Sequence, residues 1–339
     1  MAGGNIRSRV PEPGSTITRR AGVVSAAAAL LSPGGTAAQD VPWPARPVRM
    51  VVPFVPGGGA DTTARFVAQL LTPELGQSVV VDNKGGGGGT LGAVSALSAP
   101  ADGYTLFYGT PGPLVTNPLL MANLPYQAAR DFSPVSLLVR SAYVLVVHPE
   151  VPARSVSDLI ALARARPGTL SYSSAGIGAG SHLAGALLGV EAGIDIAHVP
   201  YRGSAPSVQD VVAGQVPMTV DSLSLLIPLI RAGAVRALAV TAAERVPELP
   251  DVPAMAETLP GFEVTVFNCL VVRSGTPRPV VDRLCGALAK VLRSPEAAAR
   301  YAGTGTVPVG STPEELAAVL RDETAKWRRV IAQAGIRLD

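Results

Sequence analysis

VVPFVPGGGADTTARFVAQLL, residues 51–71, joins an apolar strand, a glycine-rich turn and an amphipathic helix opening at Asp61. Gly57, Gly58 and Gly59 fall where strand gives way to helix, beside backbone N–H groups that lack intrahelical partners. Such a turn attracts anions, and glycine lets a ligand approach the backbone closely. The same order returns in SYSSAGIGAGSHLAGALLGV, residues 171–190. Two anion-ready loops this far apart predict two domains closing on one small acid.

Outward from these stretches, short apolar strands alternate with helical segments from Val48 onward. That alternation predicts an α/β fold of two lobes, each a mixed, mostly parallel sheet flanked by helices. Strands are expected at 48–54, 78–82, 104–108, 143–147, 170–173, 196–199, 217–220, 236–240 and 264–272. Helices are expected near 61–75, 90–98, 156–166, 181–191, 205–213 and 224–232. Thr312-Pro313-Glu314-Glu315 combines a capping box with proline at the first helical position, so a long helix starts there and stops at Gly335. SLLVRSAYVLVVHPE (136–150) and GFEVTVFNCLVVRSG (261–275) are long β-rich runs without turn signals, as expected of crossings between lobes. On that reading lobe 1 is discontinuous, 45–140 plus 271–339, and lobe 2 is the insert 141–270.

Charge is informative only once the chain is divided. Four of the 28 Lys and Arg, but one of the 25 acids, lie in residues 1–38, which leaves the remainder balanced at 24 against 24. Without clustered cations a nucleic-acid surface is not expected. Arg19-Arg20, the apolar run Ala21–Leu31 and the small residues Thr36-Ala37-Ala38 read as a signal peptide cut after Ala38. The apolar run is short for a membrane span. The mature chain is expected to be soluble, periplasmic and monomeric. Cys269 and Cys285 read as two free thiols packed as small hydrophobes. His148, His182 and His198 are isolated in sequence, so neither a zinc site nor any other metal is expected.

The glycine motifs admit both structural and functional roles. Asp61 either caps its helix or points into the cleft to hold a ligand's amino or hydroxyl group. GGGGGTLGA (85–93) places Gly87, Gly89 and Gly92 at dinucleotide-fingerprint spacing. The acidic residue due about 20 positions later is replaced by Thr110-Pro111-Gly112, so no nucleotide cofactor is expected. FYGTPGP (107–113) sets the Thr110 hydroxyl beside free N–H groups at a strand end. In SSAGIGAGSH (173–182), Ser174 adds a hydroxyl and His182 reads as a cap or brace. Ser181 and His182 are sequence neighbours, and there is no nucleophile elbow, so an enzyme is not expected. Arg202 could pair with a ligand carboxylate or with surface acids, while Asp221 ends a short strand aimed at the cleft. Of the fifteen aromatic residues, Phe54 and Phe267 are the first candidates to stack on a ligand.

The chain resembles the periplasmic solute receptors of tripartite tricarboxylate transporters, the Bug family. The resemblance rests on WPARPVRMVVPFVPGGGADTTAR, DNKGGGGGTLGA, ADGYTLFYGT, LPYQAARDFSPVSLL, SAGIGAGSHLAG, HVPYRGSAPSVQDVVAGQVPM, RALAVTAAERVPELPDVPAMAE, GTPRPVVDRL and TPEELAAVLRDETAKW, in order from residue 43. It implies a two-lobed Venus-flytrap fold of the type II binding-protein class. It also implies delivery of a carboxylate-bearing metabolite or amino acid to a permease with one large and one small membrane subunit. By the same resemblance Gly57, Gly58, Asp61, Gly178 and His182 lie near the ligand, and the position of Asp221 is usually acidic. The chain departs from the pattern at Ile177, where Asn is common, and at Ala179, where Thr is. It departs again at Phe267, where Trp or Tyr is frequent, and at Leu229, where His often follows the proline. These changes remove polar groups and predict a less polar acid than glutamate or citrate. A receptor presenting its ligand to a sensor kinase, or an exported hydrolase, are the alternatives.

Overall fold

The computed structural model describes residues 43–201 and 203–336; the expected signal peptide and Arg202 lie outside the described residues. The opening stretch forms β1 (Val48–Val52) and α1 (Gly59–Leu75). It is followed by β2 (Val79–Asn83), α2 (Thr90–Leu97), β3 (Thr105–Gly109) and two short helices, α3 (Asn117–Leu120) and α4 (Ala128–Asp131). A 16-residue strand, β4 (Phe132–Val147), leads to α5 (Val156–Ala165), β5 (Ser171–Ser174) and α6 (Gly180–Ala192). Then come β6 (Ala197–Pro200), α7 (Ser204–Val212), β7 (Met218–Ser222), α8 (Leu223–Arg231) and β8 (Arg236–Val240). β9 (Thr265–Arg273) returns the chain to α9 (Arg278–Leu292), α10 (Pro295–Tyr301), β10 (Thr306–Pro308) and α11 (Pro313–Ala334).

The strand order is β2-β1-β3-β9-β4-β7-β5-β6, with β8 and β10 also paired to β4. The outer pairs β1–β2, β1–β3, β5–β6 and β5–β7 are parallel, as βα alternation requires. Every antiparallel pair involves β4 or β9. The two β-rich runs are therefore the centre of the sheet, and β4 changes partners midway. Phe132 to Ala142 face β9, whereas Tyr143 to Val147 face β7.

Three apolar clusters hold the layers. One packs β1 and β3 against α1 and α9 through Met50, Leu71, Leu106 and Leu288. A second joins Val144 and Val146 to Val211 and Leu226 under α7 and α8. The third runs from Val51 and Phe107 through Phe132 to Leu145, Tyr172 and Leu188. α11 closes this third cluster with Leu316, Trp327, Val330 and Ile331, so one helix covers residues of both halves of β4. Its start is the predicted capping box: Glu315 N–H donates to Thr312 Oγ1 (3.1 Å) and Thr312 N–H to Glu315 Oε2 (2.8 Å). Cys269, buried, and Cys285, partly buried, are both free.

Candidate ligand-binding site

Parallel strands deliver their following helices to one end of a sheet, and there the helix N-termini expose N–H groups. α1 begins at Gly59 behind Gly58, two residues before the expected start at Asp61, and its cap position has no side-chain bond. Asp61 is instead the third residue of the helix. Its Oδ2 accepts the Gly57 N–H (2.9 Å) and Arg65 Nε (3.0 Å), and Oδ1 accepts Asn83 Nδ2 (2.9 Å). With those bonds made, the buried carboxylate braces the glycine loop. The ion pair with Arg65 and the Gly57 N–H together lower its pKa to about 2.

α6 repeats this arrangement. It begins at Gly180, and its third residue, His182, reaches back four positions so that Nδ1 accepts the Gly178 N–H (3.0 Å). Gly57 and Gly178 both take positive φ, +88° and +78°, where a side chain would be strained. The two loops thus share one design. In each, a left-handed glycine is tied to the side chain four residues ahead, which holds the first helical N–H groups outward. Among the described residues, Gly59, Ala60, Gly180 and Ser181 N–H have no protein acceptor.

His182 is a brace only while neutral, because Nδ1 must accept. Its ring stacks on His198 with centroids 3.9 Å apart, and Tyr172 stacks on His198 in turn (5.0 Å). Burial lowers the pKa of His182 to about 4, with His198 adding to the effect, and burial lowers that of His198 as well. His198 Nε2 lies 2.6 Å from the Ser174 hydroxyl, which also accepts the Gly176 N–H (3.1 Å). Ser181 Oγ accepts the Ala175 N–H (2.9 Å). The loop from Ser174 to Gly178 is therefore pinned by three side chains behind it. Sequence isolation of the histidines does not survive folding, since strand register brings two into contact. No group of three metal-ligand side chains occurs among the described residues.

Two buried polar oxygens, on residues singled out from sequence, have no partner among the described residues. Asp221 Oδ1 accepts Ser204 Oγ (3.1 Å) and the Ser222 N–H (2.6 Å), whereas its buried Oδ2 has no partner among the described residues. Burial raises its pKa. The buried Thr110 hydroxyl, at the end of β3, is also unpaired. Just beyond it a π-type turn, 112–116, approaches the α6 loop, and Thr116 Oγ1 donates to the Gly178 carbonyl at 3.4 Å. The glycine run packs behind this turn: Asn117 Nδ2 donates to the Gly88 carbonyl (3.0 Å), and a Cβ on Gly92 would lie 2.7 Å from Pro53 Cα. Close packing of three chain segments accounts for those glycines.

The profile of the tripartite tricarboxylate transporter family receptor matches residues 63–336. A Pseudomonas sp. (strain P51) protein named for the tcbD-tcbE intergenic region, of the UPF0065 group, is 40% identical over 96% of this chain and 97% of its own length. The structure of R. palustris Rpa4515 with adipate has a TM-score of 0.79 and 39% identity, covering 87% of this chain and 99% of that one. MatC (Rpa3494) from Rhodopseudomonas palustris with bound malate has a TM-score of 0.74 and 33% identity, covering 85% and 100%. The chain belongs to this receptor family. Its fold is that of the family's two-lobed periplasmic solute-binding proteins. No helix among the described residues is long and apolar enough to cross a membrane.

Within this receptor the residues singled out from sequence fall into distinct groups. Gly57, Gly58, Asp61, Ser174, Gly178, Ala179 and His182 build the two loops, and Ala179 occupies the cap position of α6. Ile177 is 51% exposed on the second loop and Phe54 is 36% exposed on the first. Phe267 is shut in the third apolar cluster, 1% exposed, because the alternation of β9 turns it toward that core with Cys269 and Val271. Its ring is not presented to open space. Leu229, on α8, packs half-buried against the second cluster. Tyr143, His198, Thr116 and Ser204 were missed by the sequence reading. The repeated Gly-x-x-x-Asp and Gly-x-x-x-His spacing is the one local signal that exposes the braces.

The Asp61 brace makes a measurable contribution. Asp61→Ala should cost about 1 kcal/mol at pH 7, a modest value because Arg65 is half exposed and screened. A carboxylate whose folded pKa is depressed stabilises above its unfolded value, about 4, and this is lost as the pH falls toward 2. Urea titrations should therefore separate the two proteins at pH 7 and bring them together near pH 2.

Proposed function

We propose that this receptor captures a small carboxylate-bearing metabolite in a cleft between 45–140 plus 271–339 and 141–270, and delivers it to a permease with one large and one small membrane subunit. The observation that carries this reading is the pair of braced helix N-termini, α1 and α6, whose free N–H groups replace the hydration of one carboxylate. Closure needs contacts that only both lobes together can make. The partner change within β4 at Ala142–Tyr143 supports a hinge there, with β9 as the second crossing.

The apolar side chains at the second loop favour an acid with a hydrocarbon body. Ile177 and Ala179 offer no hydrogen bond where a hydroxylated or third carboxylate group would need one. Adipate, present in the Rpa4515 structure, has that character, and malate is the more polar comparison. Isothermal titration of the mature protein should show adipate binding roughly tenfold or more tighter than citrate. Tighter binding of citrate would remove the apolar preference, and no heat with any of these acids would count against the receptor reading. Labelled-acid uptake lost on deleting either membrane subunit would establish delivery.

A further inference from the structure

Away from the loops, a cavity of about 390 Å³ lies between α11 and a wall formed by α4, the start of β4, the end of β9 and the turn at 112–116. Its wall is apolar, with Leu114, Phe132 and Val271 in the third cluster. α11 contributes Ala317, Leu320, Arg321, Thr324 and Arg328, which fall on one face at helical spacing. Thr324 Oγ1 donates back to the Leu320 carbonyl (2.6 Å), so it leaves no donor in the cavity. None of the loop residues described above lines it.

The rim is cationic. Neighbouring cations of the same helix are paired, Arg329 with Glu191 (2.9 Å) and Lys326 with Glu323. Arg321 and Arg328 have no carboxylate partner among the described residues. Two guanidinium groups, two helical turns apart over an apolar hole, suit one carboxylate attached to a hydrocarbon or aromatic body. The volume lies at the small end of the roughly 300–1,000 Å³ range of ligand sites. A diacid fits poorly, because its second carboxylate would lose water against an apolar wall.

We propose that this cavity is a second ligand site, binding an amphipathic monocarboxylate with its body inside and its carboxylate on Arg321 and Arg328. The test uses the mature protein, labelled with carbon-13 on alanine and leucine methyls, with the cleft saturated by adipate and then titrated with octanoate. Saturable shifts are expected at Ala128, Ala317 and Leu320. Arg321→Gln with Arg328→Gln should weaken octanoate roughly tenfold or more without lowering Tm, and 1-octanol should bind the unaltered protein weaker by a similar factor. Ala317→Leu, which fills the cavity from α11, should abolish the shifts. Shifts confined to Ala175 and Ala179 would overturn the proposal, as would equal binding of octanoate and octanol or unchanged binding by the double variant. Association with phosphatidylglycerol vesicles and no response to octanoate would overturn it in favour of a membrane-facing patch.

Discussion

Gly180→Ala should cost this receptor both stability and its ligand, although alanine usually improves a helix. A Cβ built on Gly180 runs into the Tyr143 hydroxyl and stands 3.0 Å from Cζ of the same ring. The ring has little room to yield, being 8% exposed. Its backbone is clamped as well: Tyr143 N–H donates to Thr241 Oγ1 (2.9 Å), and the Tyr143 carbonyl accepts the Thr241 N–H (2.9 Å). Relief must come from the start of α6, which carries the free N–H groups. Overpacking of this kind costs about 1–3 kcal/mol, and displacing even one charge-assisted donor weakens an anion by roughly tenfold or more. The control is Gly286→Ala in α9, where nothing lies within 4 Å and alanine should stabilise by up to about 1 kcal/mol. Thermal melts and adipate titrations of the two variants decide the matter. If Gly180→Ala behaves like Gly286→Ala, the α6 N-terminus is not held by Tyr143.

Acidification should destabilise the unliganded receptor before any carboxylate brace is lost. His182 has a folded pKa of about 4 against 6.5 for the free side chain. Between these values the unfolded chain binds a proton that the folded chain refuses, so stability rises with pH and falls as pH drops from 6.5 toward 4. The full loss from this one group is roughly 3 kcal/mol. His198 acts in the same sense. Asp221 opposes both, since burial raises its pKa and its ionisation costs stability as pH rises. His182→Asn keeps a side-chain acceptor for Gly178 and removes the titration. Urea unfolding from pH 4 to 7 should show a slope shallower by about one proton in that variant. An unchanged slope would mean that the acid sensitivity lies elsewhere.

These two expectations meet at the same loop. Protonated His182 cannot accept the Gly178 N–H, and an alanine at 180 pushes the same turn from the Tyr143 side. The rear of the loop also borders a cavity of about 630 Å³ lined by Tyr172, His182, His198 and Gln333. That space relieves part of the burial around the imidazoles, yet His182 remains only 5% exposed.

Much of this arrangement is written locally. Strand, glycine turn and helix at 51–71 and 171–190 follow from apolar spacing and from glycines that permit positive φ, and both loops form where that pattern sets them. The capping box at Thr312 and the stop at Gly335 are equally local, as each is a bond among residues three to five apart. Those features determined the α/β fold, the two loops and α11. Contacts at long separation were decided only by tertiary structure. His198 meets His182 because β5 and β6 pair with Tyr172 opposite His198, and Tyr143 meets Gly180 because β4 crosses the sheet. Phe267 was expected to face a ligand and is instead enclosed, since which face of β9 is covered depends on where α11 lands. Periodicity reports that a strand has two faces, but strand register and helix docking determine which neighbours each face meets.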